Sequence, residues 1–198
     1  MSLTQDTLAK LLQVAPDDWG RLWGFLAQTG CRRGEALALT GAQIDREPTR
    51  DIVRVEPHTT PEGRVWAPKT SSGIRSLVLP PGTVPPALPS AYVFVPSVRR
   101  PVHNTTADRA LNRQCAKAGI ARVTSHDFRR MRITQALMAG AEPVALSRAV
   151  GHRSLATTIG YLRELPMLCE LPPLDAEPVA NTAGAAWAQT LNTRRTHG

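Results

Sequence analysis

Cysteine is scarce: Cys31, Cys115 and Cys169 are the whole complement of 198 residues, odd in number and far apart. They supply neither a disulfide framework nor a Cys/His zinc spacing, and read as free thiols of a reducing, cytoplasmic compartment. No apolar run approaches the roughly 20 residues of a membrane span. The opening MSLTQDTLAK also lacks the basic and apolar regions of a secretion signal, so a soluble protein with no membrane partner is expected. A GxxxxGK[ST] phosphate loop is missing, as is any carboxylate pair near the motifs below, so neither a metal nor another cofactor is expected. Lysine is limited to Lys10, Lys69 and Lys117, and tyrosine to Tyr92 and Tyr161.

Arginine is abundant instead, and the formal net charge is +8. The guanidinium fork matches phosphate oxygens, so this basic chain suits a polyanion, most simply nucleic acid. The plainer source of the bias is a GC-rich coding sequence. With 42% hydrophobic and 20% charged residues the chain has the composition of a folded protein. Its length allows one principal core, assigned to residues 1–165, while residues 166–198 read as a Pro-rich linker and a short helix-forming tail.

Helical spacing recurs in Leu8, Leu11 and Leu12 after a capping Thr4, and in Leu22, Trp23 and Leu26 after Asp17 and Asp18. Gly30 interrupts, and a short helix follows through Glu35. Residues 52–55, 65–66 and 74–79 are β-branched or apolar runs separated by turn residues, which predicts a three-stranded antiparallel sheet with Lys69 on its second, projecting hairpin. Residues 80–101 are an irregular Pro-rich connection. Helices return over residues 108–118 and 127–139, then from Glu142-Pro143, and finally from Ser154 through Tyr161.

Chemistry-bearing residues stand in a fixed order. Thr29-Gly30-Cys31-Arg32-Arg33-Gly34-Glu35 comes first and His126-Asp127-Phe128-Arg129 second, then Gly151-His152 with Tyr161 nine residues beyond the histidine. Between the first two lies Lys69 in Pro68-Lys69-Thr70-Ser71-Ser72-Gly73-Ile74-Arg75. HxxR alone is a weak signal, but the ordered set resembles that of the tyrosine recombinases of the phage-integrase family, over residues 4–165. The resemblance implies a mainly helical α+β catalytic domain with a small three-stranded antiparallel sheet. It implies Arg32, Lys69, His126, Arg129, His152 and Tyr161 as the catalytic set, with Tyr161 the nucleophile and Glu35 a structural support. It also implies double-stranded DNA as partner and a nucleoid-associated bacterial or phage enzyme of the integrase, excisionase or invertase type. Cys31 replaces the family's usual leucine, Arg130-Met131 the frequent His-Thr, and Val150 the leucine before Gly-His; these positions flank the chemistry.

Breaking a DNA backbone without a metal requires positive charge around a phosphorane-like transition state. Arg32 and Arg129 can grip the non-bridging oxygens, and His126 and Arg129, three apart, share a helical face. A tyrosine keeps its proton at neutral pH unless cations favour the phenolate or a base takes the proton, and His126 is the candidate acceptor. Lys69 on a mobile hairpin would protonate the departing 5′ oxygen, and His152 would donate a hydrogen bond to the phosphate. The products are a 3′-phosphotyrosine and a free 5′-hydroxyl.

Each residue has a plainer reading. Taken singly, Arg32 and Glu35 make an ordinary i,i+3 ion pair, Lys69 a solvated turn residue, His126 a capping residue, His152 a helix end and Tyr161 a packed ring like Tyr92. Arg33, Arg75, Arg130, Arg132 and Arg153 are candidates for backbone-phosphate contacts, with a solvated face the alternative for Arg130 and Arg132. The resemblance also implies that residues 183–191, with Trp187 as anchor, pass to a neighbouring subunit of a tetramer on DNA; the plainer reading is an unstructured end. The chain starts almost directly at the catalytic domain, so an accessory DNA-binding protein is an expected partner. Two other functions stay open: a catalytically silent DNA-binding relative from a mobile element, and a type IB topoisomerase, which would relax supercoils without a recombined product. The DNA site and the direction of reaction are not legible.

Overall fold

The computed structural model describes residues 3–94 and 102–162; the expected linker and tail of residues 166–198 lie outside them. Helix α1 (Gln5–Val14) begins at a capping box in which the Thr7 N–H donates to Thr4 Oγ1 and the Thr4 N–H to Thr7 Oγ1. Its Leu8 and Leu11 turn inward. In α2 (Asp17–Thr29), Leu22, Trp23 and Leu26 are completely buried and face α5 (Ser125–Met138). Trp23 stacks on Trp19 and Phe128, and its indole N–H donates to Gln114 of α4 (Asn104–Lys117), so the one polar atom of a buried ring is satisfied. The short α3 (Arg33–Ala38) follows α2 after a turn at Gly30. The Glu142 carboxylate caps α6 (Pro143–Val150) by accepting from the Val144 and Ala145 N–H groups. A second apolar cluster of Ile133, Ala136, Leu137, Leu146 and Val150 joins α5 to α6, and Tyr161 of α7 (Leu155–Leu162) packs against it. Among the described residues no helix is long and apolar enough to cross a membrane.

The sheet has three antiparallel strands, as expected, but not the expected three. Its order is β1 (Ile44–Glu47), β2 (Arg50–Val55) and β5 (Arg75–Leu79). Val65–Trp66 is β4, which pairs instead with β3 (His58–Thr59) in a separate ribbon closed by a turn with Gly63 at φ 77. Val65 is 80% exposed, so no core face draws it into the larger sheet. Strand β1 has no apolar alternation; ion pairs of Arg50 with Glu47, Arg46 with Asp51 and Arg54 with Asp45 hold it to β2. No hairpin joins β4 to β5 either. Lys69 lies in a loop that ends in a 3-10 turn, Ser71–Gly73. The Pro-rich connection is irregular yet structural: Val84, Val93 and Phe94 enter the core and Tyr92 bridges to Thr40.

Candidate active site

Gly30 takes the left-handed conformation (φ 66) that ends α2, and the chain reverses so that Cys31 is buried and Arg32 becomes the N-cap of α3. Glu35, at the third position of that helix, reaches back. Its Oε2 accepts from the Arg32 backbone N–H at 3.0 Å and its Oε1 from Arg32 Nη1 at 2.9 Å. Arg32 Nη2 donates to the Gly151 carbonyl at 3.0 Å, so the guanidinium spans α3 and the end of α6. Burial pushes the Glu35 carboxyl up, but hydrogen bonds and charge from Arg75 and Arg32 outweigh it and hold the group below the ordinary carboxylate range.

Arg129 projects from the first turns of α5 and is 4% exposed. Its Nη1 donates to the Gly30 carbonyl at 2.8 Å, while Nη2 is buried with no partner among the described residues. Burial, then repulsion from Arg32 and Arg75, pushes its pKa down to about 10. A buried, charged donor without an acceptor is costly.

His126 enters one turn before Arg129, on a helix start fixed by reciprocal bonds between Thr124 and Asp127. Its Nε2 lies 3.5 Å from the Tyr161 hydroxyl. Gly151, left-handed at φ 70, ends α6 and sends the chain to His152, whose Nδ1 is 2.7 Å from the hydroxyl of the fully buried Thr158. The His152 and Tyr161 rings are parallel within 6°, with centroids 6.2 Å apart. Burial, then the charges of Arg129 and Arg32, pushes His152 down to about 4, so it is neutral at pH 7. The other tyrosine is unsuited to attack: burial and the hydrogen-bonded Glu62 push Tyr92 up to about 12.

Lys69 is exposed and shares a cleft of about 320 Å³ with Arg32, Glu35, Asn104 and Ser125. A neighbouring cleft of about 280 Å³ lies between His126, Arg130, Thr157 and Tyr161, so both open beside the start of α5. Lys69 and Arg32 thus line one cleft, the charges of Arg32 and Arg129 act on each other and on His152, and Tyr161 contacts both His152 and His126. Two of the arginines expected at DNA phosphates have partners within the protein. Arg75 is buried against Glu35, with 7% of its side chain exposed, and Arg33 is held by Asp108 and Asn104. Arg130 and Arg153 are exposed and Arg132 is half-buried. The sequence reading missed the Gly30 and Gly151 carbonyls and Thr158. A left-handed glycine after an apolar helix was a visible signal for the carbonyls; Thr158 had none.

A family model described as the phage integrase family matches residues 2–166. A Sinorhizobium fredii protein named as an integrase/recombinase is 34% identical over 141 residues, which cover 68% of this chain and 42% of that protein. This chain therefore spans less than half of that relative. Among solved structures, the Tn1549 transposon integrase in complex with circular intermediate DNA matches with a TM-score of 0.65 at 19% identity, over 96% of this chain and 67% of the other. XerA recombinase matches at 0.60 and 21% identity, over 100% and 64%. The catalytic domain of bacteriophage HP1 integrase matches at 0.55 and 17%, over 83% and 88%. At these identities the likeness is one of fold.

Proposed function

The chain belongs to the phage integrase family and has the fold of tyrosine recombinase catalytic domains, and from that premise we propose that it is a site-specific recombinase that cuts and rejoins double-stranded DNA through a 3′-phosphotyrosine at Tyr161. The observation that carries the reading is Arg129 Nη2, a buried donor without an acceptor beside the guanidinium of Arg32. A phosphodiester offers the two non-bridging oxygens that such a pair of forks accommodates. The net charge of +8, and a structural neighbour solved with DNA, support the same partner.

In this reading Tyr161 Oη attacks phosphorus as the bond to the 5′ oxygen breaks. The phenolic proton passes to His126 Nε2 over a gap that is loose without substrate and closes on binding. Lys69 gives its proton to the departing oxygen. His152, with Thr158 donating to its Nδ1, carries its own proton on Nε2 and presents it to the phosphate. Rejoining runs the steps backward with a new 5′-hydroxyl. Residues 1–165 form the catalytic unit, and residues 166–198 link it to a neighbouring subunit in a tetramer on DNA.

Covalent trapping tests the proposal. Wild-type and Tyr161→Phe proteins are incubated with nicked duplexes tiled across the DNA flanking the gene, then denatured. A DNA-linked protein band is expected from wild type alone; DNA binding without an adduct, or an adduct that survives Tyr161→Phe, refutes it.

A further inference from the structure

Arg75 opens β5, yet each of its side-chain nitrogens is engaged inside the protein. Nε donates to the Ala149 carbonyl at 2.8 Å, Nη1 to the Gly73 carbonyl at 2.8 Å, and Nη2 to Glu35 Oε2 at 2.8 Å and Cys31 Sγ at 3.3 Å. One guanidinium therefore ties together the end of the Lys69 loop, the Arg32 segment and the last turn of α6, which leads into His152. The circuit closes through Glu35, which holds Arg32, and through Arg32, which holds the Gly151 carbonyl. Gly151 leaves no room for slack: a Cβ there would stand 3.0 Å from both Arg75 Nη1 and the Ser72 carbonyl oxygen.

The loop itself is a closed unit. The Gly73 N–H donates to the Thr70 carbonyl at 2.9 Å and the Ile74 N–H to Ser71 at 3.0 Å. A Cβ on Gly73 would come within 2.7 Å of the Pro68 side chain, immediately before Lys69. Wherever Arg75 puts Gly73, Pro68 and Lys69 must follow. Resting on the recombinase reading, we propose that Arg75 is a positioning residue that clamps the Lys69 loop to the Arg32 and His152 segments and so sets the reach of the Lys69 ammonium to the departing 5′ oxygen.

The test uses the phosphodiester at which the wild-type protein forms its adduct, prepared with either oxygen or sulfur as the bridging 5′ atom. A sulfur leaving group departs as a thiolate, since an ordinary thiol ionises near about pH 8.5, and it needs no proton donor. Arg75→Lys keeps a cation beside Glu35 but loses the fork to Gly73 and Ala149. With oxygen, Arg75→Lys and Lys69→Ala should both slow adduct formation by about 10- to 100-fold; with sulfur, both should return to within about threefold of wild type. Equal loss on both substrates overturns the inference, because a better leaving group does not repair a loosened arginine clamp. If Arg75→Lys does not stay folded at the assay temperature, Gly73→Ala carries the test with the same two outcomes, since its Cβ would displace the Pro68 side chain at 2.7 Å and meet Glu35 Oε1 only at an ordinary 3.8 Å. A wild-type protein that forms no adduct with either substrate overturns the recombinase reading, and this inference with it.

Discussion

Replacing Arg129 with methionine should make the protein more stable and inactive at once. The guanidinium is pushed from 12.5 down to about 10 by burial and by its cationic neighbours. At about 1.4 kcal/mol per pKa unit, its charge destabilises the folded state by roughly 3 kcal/mol at neutral pH. Methionine removes that penalty and fills similar volume with apolar atoms, but it also removes the hydrogen bond to the Gly30 carbonyl, a loss of about 1.5–3 kcal/mol for a charged donor. The difference predicts a net gain of up to about 1.5 kcal/mol, or a melting temperature higher by up to about 6 °C in a chain of this size. Thermal melts in buffer free of sulfate and phosphate measure it. Added sulfate should raise the melting point of wild type and leave Arg129→Met nearly unmoved, because only wild type keeps the second guanidinium. Adduct formation should vanish in the variant. A variant that melts several degrees lower, with sulfate raising both proteins equally, would show that Arg129 is already balanced and that the cluster is not held ready for an anion.

Two further changes probe His152. Its folded pKa of about 4 lies below the ordinary 6.5, so the unfolded chain takes up a proton first as pH falls. Stability present above about pH 6.5 is therefore lost through the window down to about 4, by about 1 kcal/mol once solvent screening at a half-buried ring is allowed for. His152→Asn should flatten that part of the melting profile relative to wild type; parallel profiles would contradict the assignment. Thr158→Val keeps the shape of a completely buried side chain and deletes the hydroxyl 2.7 Å from His152 Nδ1. Adduct formation should slow by about tenfold for the lost orientation of one hydrogen bond, with Thr158→Ser restoring it. Full activity in Thr158→Val would mean the tautomer is set elsewhere.

What was legible in the sequence was what local physics dictates. Thr4, Asp17, Gly30, Glu142 and Gly151 mark helix ends because caps and left-handed turns demand particular residues within a few positions. Arg32, His126, Arg129, His152 and Tyr161 were picked out differently, by the resemblance of their ordered segments to a known family, since no one of those segments is specific by itself. Strand β1 was hidden because charges, not alternating apolar residues, hold it. The placement of Arg75 was hidden because its partners lie 40 and 74 positions away, and an arginine paired with Glu35 inside the protein looks the same in sequence as one awaiting a phosphate. Helix α4 begins at Asn104, ahead of the expected 108, because its first turn, Asn104-Thr105-Thr106, has no apolar residue to announce it.

Each of the three central arginines bonds a carbonyl at a helix end. Arg129 bonds the carbonyl of the residue capping α2, Arg32 that of the residue capping α6, and Arg75 the carbonyl of Ala149 in the last turn of α6. These carbonyls have no partner within their helices and carry the negative end of the helix dipole, so they orient a guanidinium while cancelling only part of its charge. Among the described residues Glu35 is the one carboxylate paired with these arginines, and it is shared between Arg32 and Arg75. Burial keeps the Cys31 thiol protonated, and His152 is neutral. Three guanidiniums against one carboxylate leave a net charge of +2. A ground-state phosphodiester brings one negative charge; a phosphorane-like transition state spreads two over its oxygens. Under the recombinase reading the cluster is therefore matched to the transition state and over-charged for the substrate, which is the difference that accelerates a reaction. Holding Arg129 with a second carboxylate would stabilise the empty protein and shift that match to the ground state, and this accounts for a buried donor left without a partner.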